Sequence, residues 1–275
     1  VEQRDPALPQ LSIDYGDFAL WQGGVLRGDT FAAMIAAWKD HLGDTSGELQ
    51  WGRPRAATTG EGRHLPVRLD EAATSAVRAC ARAAQTTPQV VLFAAWRAAV
   101  AALTGARDFA VGCNFAARTR PELDDLAGYF VNTLPVRTPV RETDSWRDVV
   151  AAESRSHAAV SAWQRLPFIR LVGELRPRRQ SRANPLFQVA FNFLHPAQVP
   201  PVLGLGFNAG IPVEQDFAGL LLSPLDVDYG VSRFDAMLVL WDLGTHFQGC
   251  IEYDLDLLGE PLAGLARDRF SAAVA

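Results

Sequence analysis

Residues 128–137 read GYFVNTLPVR. Phe130, Val131, Leu134 and Val136 make this an extended, largely apolar segment, continuing from Val131 to Val140. It carries a polar pair, Asn132 and Thr133, which must find partners if the strand is buried. Two readings stay open for that pair: a structural hydrogen bond at a strand edge, or the lining of a substrate channel. Phe130 and Val131 suit a core.

Working upstream, 121–127 reads as a short helix and Phe109 to Phe115 as a buried strand. Two helices precede it, 70–84 and 88–104, the second with Thr87 as cap, Pro88 at its first position and Gly105 at its end. His64 to Leu69 alternates like a short strand, and 43–63 is an irregular connector rich in Gly, Pro, Thr and Arg. Residues 30–42 form a helix behind Asp29 or Thr30 as cap, and Tyr15, Phe18 and Trp21 fall on one helical face suited to packing. Downstream, 145–165 is a long amphipathic helix, and 167–175 a short one opened by Pro167 and anchored by Phe168. Leu186 to Leu194 is a strand with Phe187, Val189, Phe191 and Phe193 on one face. A long Pro- and Gly-rich loop, 196–218, leads to a strand near Leu220 to Leu225. A hairpin of 234–242 and 246–254 turns at Gly244, and a last helix runs from Pro261 to Ala275. Strands alternating with helices give an α/β or mixed α+β layered fold.

The 275 residues carry a net charge of −5, with 48% apolar and 21% charged side chains. That much apolar material can offset the ordering entropy, which excludes bulk disorder. Length allows one large domain or two modest ones. The mild acidity argues against nucleic acid as a partner. Val90 to Leu103 is the nearest approach to a membrane span, and Arg97 interrupts it. Cys80, Cys113 and Cys250 are isolated, which suggests buried thiols and neither a disulfide framework nor a zinc site. The chain opens at Val1 with no signal peptide and no initiator methionine, so the expectation is a cytoplasmic piece of something longer.

Catalytic signatures are sparse. There is no G-x-S-x-G elbow, P-loop or H-E-x-x-H. Gly204, Gly206 and Gly210 approximate a dinucleotide fingerprint, but the last spacing is one residue too long and no helix follows. His41, His64, His157, His195 and His246 are scattered, and none is followed by aspartate four positions later.

Four ordered segments are more specific. Tyr15 to Trp21 (YGDFALW) resembles the Y-x-D-(Y/F)-A-x-W motif of nonribosomal peptide synthetase condensation domains. Gly128 to Arg137 resembles their G-x-F-V-N-T-x-x-x-R motif, and Gln164 to Ile169 (QRLPFI) their Q-D-Y-P-F-E motif. Residues 178–186, with Ser181, Asn184 and Pro185, resemble R-D-x-S-R-N-P-L. Arg233-Phe234-Asp235 and Ile251-Glu252-Tyr253 look like the closing hairpin. Arg165 and Ile169 depart from the acidic residues of the third motif, and Ala183 stands as an insertion in the fourth.

The resemblance implies a chloramphenicol acetyltransferase-like fold, in which two lobes enclose a tunnel. Carrier proteins deliver phosphopantetheine thioesters from either end, and an amine attacks the donor thioester to form an amide. The family's histidine motif, H-H-x-x-x-D-G, belongs upstream of Tyr15 and is absent here. The expectation is therefore a C-terminal lobe at 61–275, preceded at 1–60 by the tail of the first lobe and a connector. Within it the resemblance implies no catalytic residue, no metal and no bound cofactor. Asn132, Thr133, Phe130 and Arg118 are expected along the substrate channel, although Arg118 also suits a plain surface position. Tyr15, Asp17, Trp21, Gly128, Arg137, Pro167, Phe168, Ser181, Asn184, Pro185, Arg233 and Asp235 hold the motifs in shape. Peptidyl carrier proteins and neighbouring synthetase domains, including the absent first lobe, are the implied partners, with no nucleic acid and no membrane. Alternatives are a non-catalytic module that recruits a carrier protein or another enzyme, and a coenzyme A-dependent acyltransferase of the same superfamily. An epimerization or cyclization relative fits the NTL-type motif less well.

Overall fold

The computed structural model describes residues 10–43, 49–53, 58–177, 184–195, 215–217, 219–222 and 229–275. Ser181, most of the 196–218 loop and 223–225 lie outside the described residues. The chain opens with two helices, α1 (Tyr15–Val25) and α2 (Gly28–Leu42). Asp14 and Asp17 form a reciprocal capping box on α1. The α2 helix begins earlier than expected: Arg27, not Asp29 or Thr30, is the capping position, and it supplies no side-chain bond. Gly28, at φ +62°, lets the chain turn directly from α1 into α2.

After strand β1 (Gly62–Leu69) come α3 (Glu71–Ala83) and α4 (Pro88–Thr104). Thr87 and Gly105 bound α4 as the sequence predicts, with Gly105 left-handed at φ +71°. Val90 to Trp96 are all buried, so α4 is apolar on every side because it is packed on every side. No single helix among the described residues is long and apolar enough to cross a membrane. Next follow β2 (Ala110–Phe115), a 3₁₀ turn at Pro121–Leu123, β3 (Asn132–Arg137), α5 (Trp146–Ala162), α6 (Phe168–Leu175) and β4 (Val189–Leu194). A small ribbon pairs β5 (Gln215–Phe217) with β6 (Leu220–Leu222), and the chain ends with β7 (Ala236–Asp242), β8 (Phe247–Asp254) and α7 (Gly259–Val274).

Six strands form one mixed sheet in the order β1-β8-β7-β4-β2-β3. The centre is parallel, β2 with β4 and β4 with β7, while both flanks are antiparallel. Register and alternation put Cys113, Leu134, Phe191, Leu238 and Ile251 on one face, where α3, α4, α5 and α7 cover them. Phe93 of α4 meets Phe191 edge-on at 5.5 Å between centroids. Residues before 60 share this core: Ile35, Trp38, Leu42, Leu49 and Trp51 are buried in the same cluster. The 121–127 stretch is shorter as helix than expected, because Pro121 to Leu123 closes only a single turn.

One polar device sits inside the apolar layer. Arg97 of α4 is 1% exposed and pairs with Glu153 of α5, which is fully buried. The guanidinium also donates to the carbonyls of Phe109 and Val136, the latter at 2.8 Å. Thr138 donates to the second carboxylate oxygen of Glu153 at 2.9 Å. Both charges are thus hydrogen-bonded as well as paired, which burial demands. Replacing Glu153 by Gln leaves the guanidinium without its counter-charge. The expected cost is roughly 3–5 kcal/mol in urea unfolding; a loss below about 1 kcal/mol would contradict this account.

Candidate functional site

Asn132 opens β3 at the edge of the sheet, and its amide is fully engaged with backbone. Nδ2 donates to the carbonyls of Gln164 at 3.0 Å and Leu166 at 2.7 Å, and Oδ1 accepts from the Phe168 amide at 3.0 Å. Phe168 is the first residue of α6, whose cap position is Pro167 and carries no side-chain bond. Asn132 therefore caps α6 from another element, taking up one of the amides that a helix start leaves unpaired. Thr133 lies on the opposite side of β3 and donates to Asn114 Oδ1 at 2.6 Å, directly across the β2–β3 ladder. Gln164 completes the joint: its Oε1 accepts from the Ala117 amide at 3.1 Å.

The first motif comes to the same place. Tyr15 donates its hydroxyl to the Tyr129 carbonyl at 2.7 Å and packs edge-on against Phe130. Gly128 is required by this approach, because a Cβ there would stand 2.2 Å from the Tyr15 ring. Phe18, Leu123, Leu126 and Phe130 form a small second core, with Trp21 packed against it. Arg118 spans that core: it donates to the Leu123 and Leu126 carbonyls and lies over the Phe130 ring at 4.2 Å. Arg120 stacks over Trp21. Asp17 works in the cap of α1.

Tyr15, Phe130, Asn132, Thr133, Pro167 and Phe168 thus line one groove of about 410 Å³, joined by Gln22 and Gln164. Apolar residues crowd its mouth: Tyr129, Val131 and Ile169 are exposed. Among the described residues its lining holds no histidine, cysteine or carboxylate.

Arg137 closes the far end of β3. It grips Asp108 through two nitrogens at 2.7 and 2.6 Å, and this pairing holds the Asp108 carboxyl below its ordinary range. The Arg137 backbone amide donates to His41 Nε2 at 3.2 Å. Burial, followed by the Arg137 charge, pushes His41 down to about 4.

The later motifs gather elsewhere. Asn184 donates to the Arg233 carbonyl at 2.7 Å, and Asp235 accepts from the Trp51 indole at 2.8 Å. Asn184, Arg233 and Asp235 line, with Thr59 and Asp254, a second, polar groove of about 230 Å³; Pro185 follows Asn184 in the chain. Burial raises the Asp254 carboxyl above its usual range. Mutually tilted rings of Phe168, Phe187 and Phe234, at 5.3 and 5.6 Å between centroids, link the two grooves. Gly112 makes room for this row, since a Cβ there would stand 2.3 Å from the Phe187 ring. Cys113 is buried, and burial lifts its thiol to about 12, far from a reactive thiolate.

The mixed sheet thus carries motif-lined grooves at the β3 edge and at the entry to β7. The condensation-domain family model matches residues 1–257, and the chain belongs to that family. It is 35% identical over 277 residues to phosphinothricin tripeptide synthetase PhsC of Streptomyces viridochromogenes, an alignment covering 96% of this chain and 24% of that protein. The chain therefore spans about a quarter of that relative. Among solved structures, the condensation domain of the monacolin K polyketide synthase MokA superposes with a TM-score of 0.74 at 18% identity, covering 98% of this chain and 62% of its own. The X-domain of teicoplanin biosynthesis, solved in complex with OxyB, gives a TM-score of 0.80 at 17% identity, covering 99% and 59%.

Of the two readings open for Asn132, its hydrogen bonds are those of a structural residue at a strand edge, while its side chain also stands in the groove lining. Sequence reading passed over Asn114, whose signal is its place opposite Thr133. Two outcomes follow. Asn132→Ala strips partners from two carbonyls and one amide, so unfolding should become easier by roughly 2–3 kcal/mol. An unchanged urea midpoint would contradict the clamp. Acid should also weaken the fold: His41 is held neutral in the native chain but takes a proton near 6.5 when unfolded. Stability is then complete above about pH 6.5 and is lost progressively as pH falls toward 4. His157, likewise lowered by burial, adds in the same direction. His41→Gln should flatten this slope in pH-dependent melting; an identical slope would contradict the assignment.

Proposed function

We propose that this chain is the C-terminal part of a nonribosomal peptide synthetase condensation domain, with 61–275 as its lobe and 1–60 as tail and connector. It acts on aminoacyl or peptidyl thioesters held on the phosphopantetheine arms of carrier proteins. One observation carries this reading. Residues from three distant segments, Tyr15, Gly128 to Thr133, and Gln164 to Phe168, converge on one groove, and they are the residues of the family's motifs.

In the reaction the acceptor amine attacks the donor carbonyl, a C–N bond forms and the C–S bond breaks. The amine gives up a proton and the carrier thiol leaves with one. This chain's part is positioning: β3 and the α5–α6 turn form a fixed wall that orients a bound chain and excludes water. Among the described residues the groove holds no group suited to general base catalysis near neutrality. The resemblance assigns that role to the histidine motif of the first lobe.

The test supplies an upstream segment bearing H-H-x-x-x-D-G in the same polypeptide, with loaded donor and acceptor carrier proteins. Mass spectrometry should find the amide product on the acceptor carrier, and none with the present chain alone. A silent restored protein that still binds a carrier would overturn the enzymatic reading in favour of recruitment. Amide formation by the chain alone would overturn the division of labour.

A further inference from the structure

Of the polar side chains lining the larger groove, Tyr15, Gln22, Asn132, Thr133 and Gln164 are each committed within the protein. Tyr15 and Asn132 hold backbone carbonyls, Thr133 holds Asn114, and Gln22 donates to the Arg165 carbonyl at 3.4 Å. Gln164 accepts from the Ala117 amide at 3.1 Å and donates to Ser161 Oγ at 3.3 Å. One of these bonds differs from the rest, because the group it holds is strained.

Ala117 also lines the groove, and its φ is +52°. In that left-handed region a Cβ crowds the following carbonyl oxygen, so glycine is the usual occupant. Two residues on, the Thr119 hydroxyl is buried with no hydrogen-bond partner among the described residues. An orphaned buried hydroxyl destabilises by more than its bond would contribute. Both penalties fall within residues 116–120, the link between β2 and the 3₁₀ turn at Pro121. Three contacts hold the link against them: the Gln164 bond, the grip of Arg118 on the Leu123 and Leu126 carbonyls, and Arg120 over Trp21. Backbone strain persists only where the surroundings enforce it, and it gathers at clamps and switch segments.

We infer that residues 116–120 form a two-state strap on the groove, latched by the Gln164 side chain and seen here shut. Opening lets Ala117 leave the left-handed region and gives the Thr119 hydroxyl access to a partner. It also turns Gln164 Oε1 free to accept from a molecule in the groove. The Asn132 side stays fixed, since Asn132 binds the Gln164 backbone carbonyl and not its side chain. A ligand carrying an N–H group therefore favours the open strap by taking the acceptor from Ala117; its leverage is its differential affinity for that state. Gln164 is a positioning residue in this device, which does not depend on the reaction the groove serves.

The test uses the isotope-labelled chain alone. Nitrogen relaxation dispersion should show microsecond-to-millisecond exchange at residues 117–120 and at the Gln164 side-chain amide, with the Phe168 amide quiet. Ala117→Gly and Thr119→Val each remove one penalty from the shut form. Each should slow hydrogen exchange of the residue 117 amide about fivefold and raise the melting temperature. Gln164→Met, which has no carbonyl, should speed that exchange about fivefold or more, and Gln164→Glu, which keeps an acceptor, should restore it. N-methylacetamide should speed exchange at residue 117 in the parent but not in Gln164→Met, and N,N-dimethylacetamide, which has no N–H, should do neither. A strap without millisecond motion, relieving variants that lower stability, or a Gln164→Met chain with parental protection at residue 117 would each overturn the inference. An equal response to the two acetamides would do the same. Should Gln164→Met fail to fold, the two relieving variants decide the question.

Discussion

A dry, fully paired charge organises this lobe. Arg97 lies in the middle of the most buried helix, and its guanidinium ties α4 to Glu153 of α5, to the carbonyl before β2 and to a carbonyl of β3. An ion pair so placed adds little stability compared with apolar packing, but it penalises every arrangement that breaks it. It thereby fixes β3 against the helical layer near Val136, while Arg137 ties the same end to Asp108 and His41. From that anchored end β3 runs four residues to Asn132, where the groove begins.

The groove is consequently built from backbone held by side chains. Asn132 does not offer its amide to a ligand; it spends all three hydrogen bonds on the α5–α6 turn. Lining a channel and holding structure are two roles of one residue, since Asn132 stands in the wall that it clamps. Its neighbours in the groove lining include Thr133, Tyr129 and Phe168.

Much of the frame was legible in the residues. Thr87, Pro88 and Gly105 bracket α4 because capping is local chemistry, and the phenylalanines of β4 declare their face through alternation. The motif order gave the family, and with it the chloramphenicol acetyltransferase-like fold. What escaped was set by contacts distant in sequence. Arg97 reads as an interruption of an apolar helix until Glu153 is seen opposite it, 56 positions on. The start of α2 moved because Gly28 accepts a left-handed turn that propensity alone does not select. Asn132 left its two readings open because the carbonyls it binds lie 32 and 34 positions away.

The groove is pre-formed because Asn132 caps α6. Hydrogen exchange at the Phe168 amide tests it directly. As the first residue of a helix with no side-chain cap of its own, Phe168 has no intrahelical acceptor and would exchange at the rate of an open turn. The account predicts protection comparable to the paired amides of β3, lost only when the lobe opens. Exchange of that amide within seconds, while β3 stays protected, would contradict it.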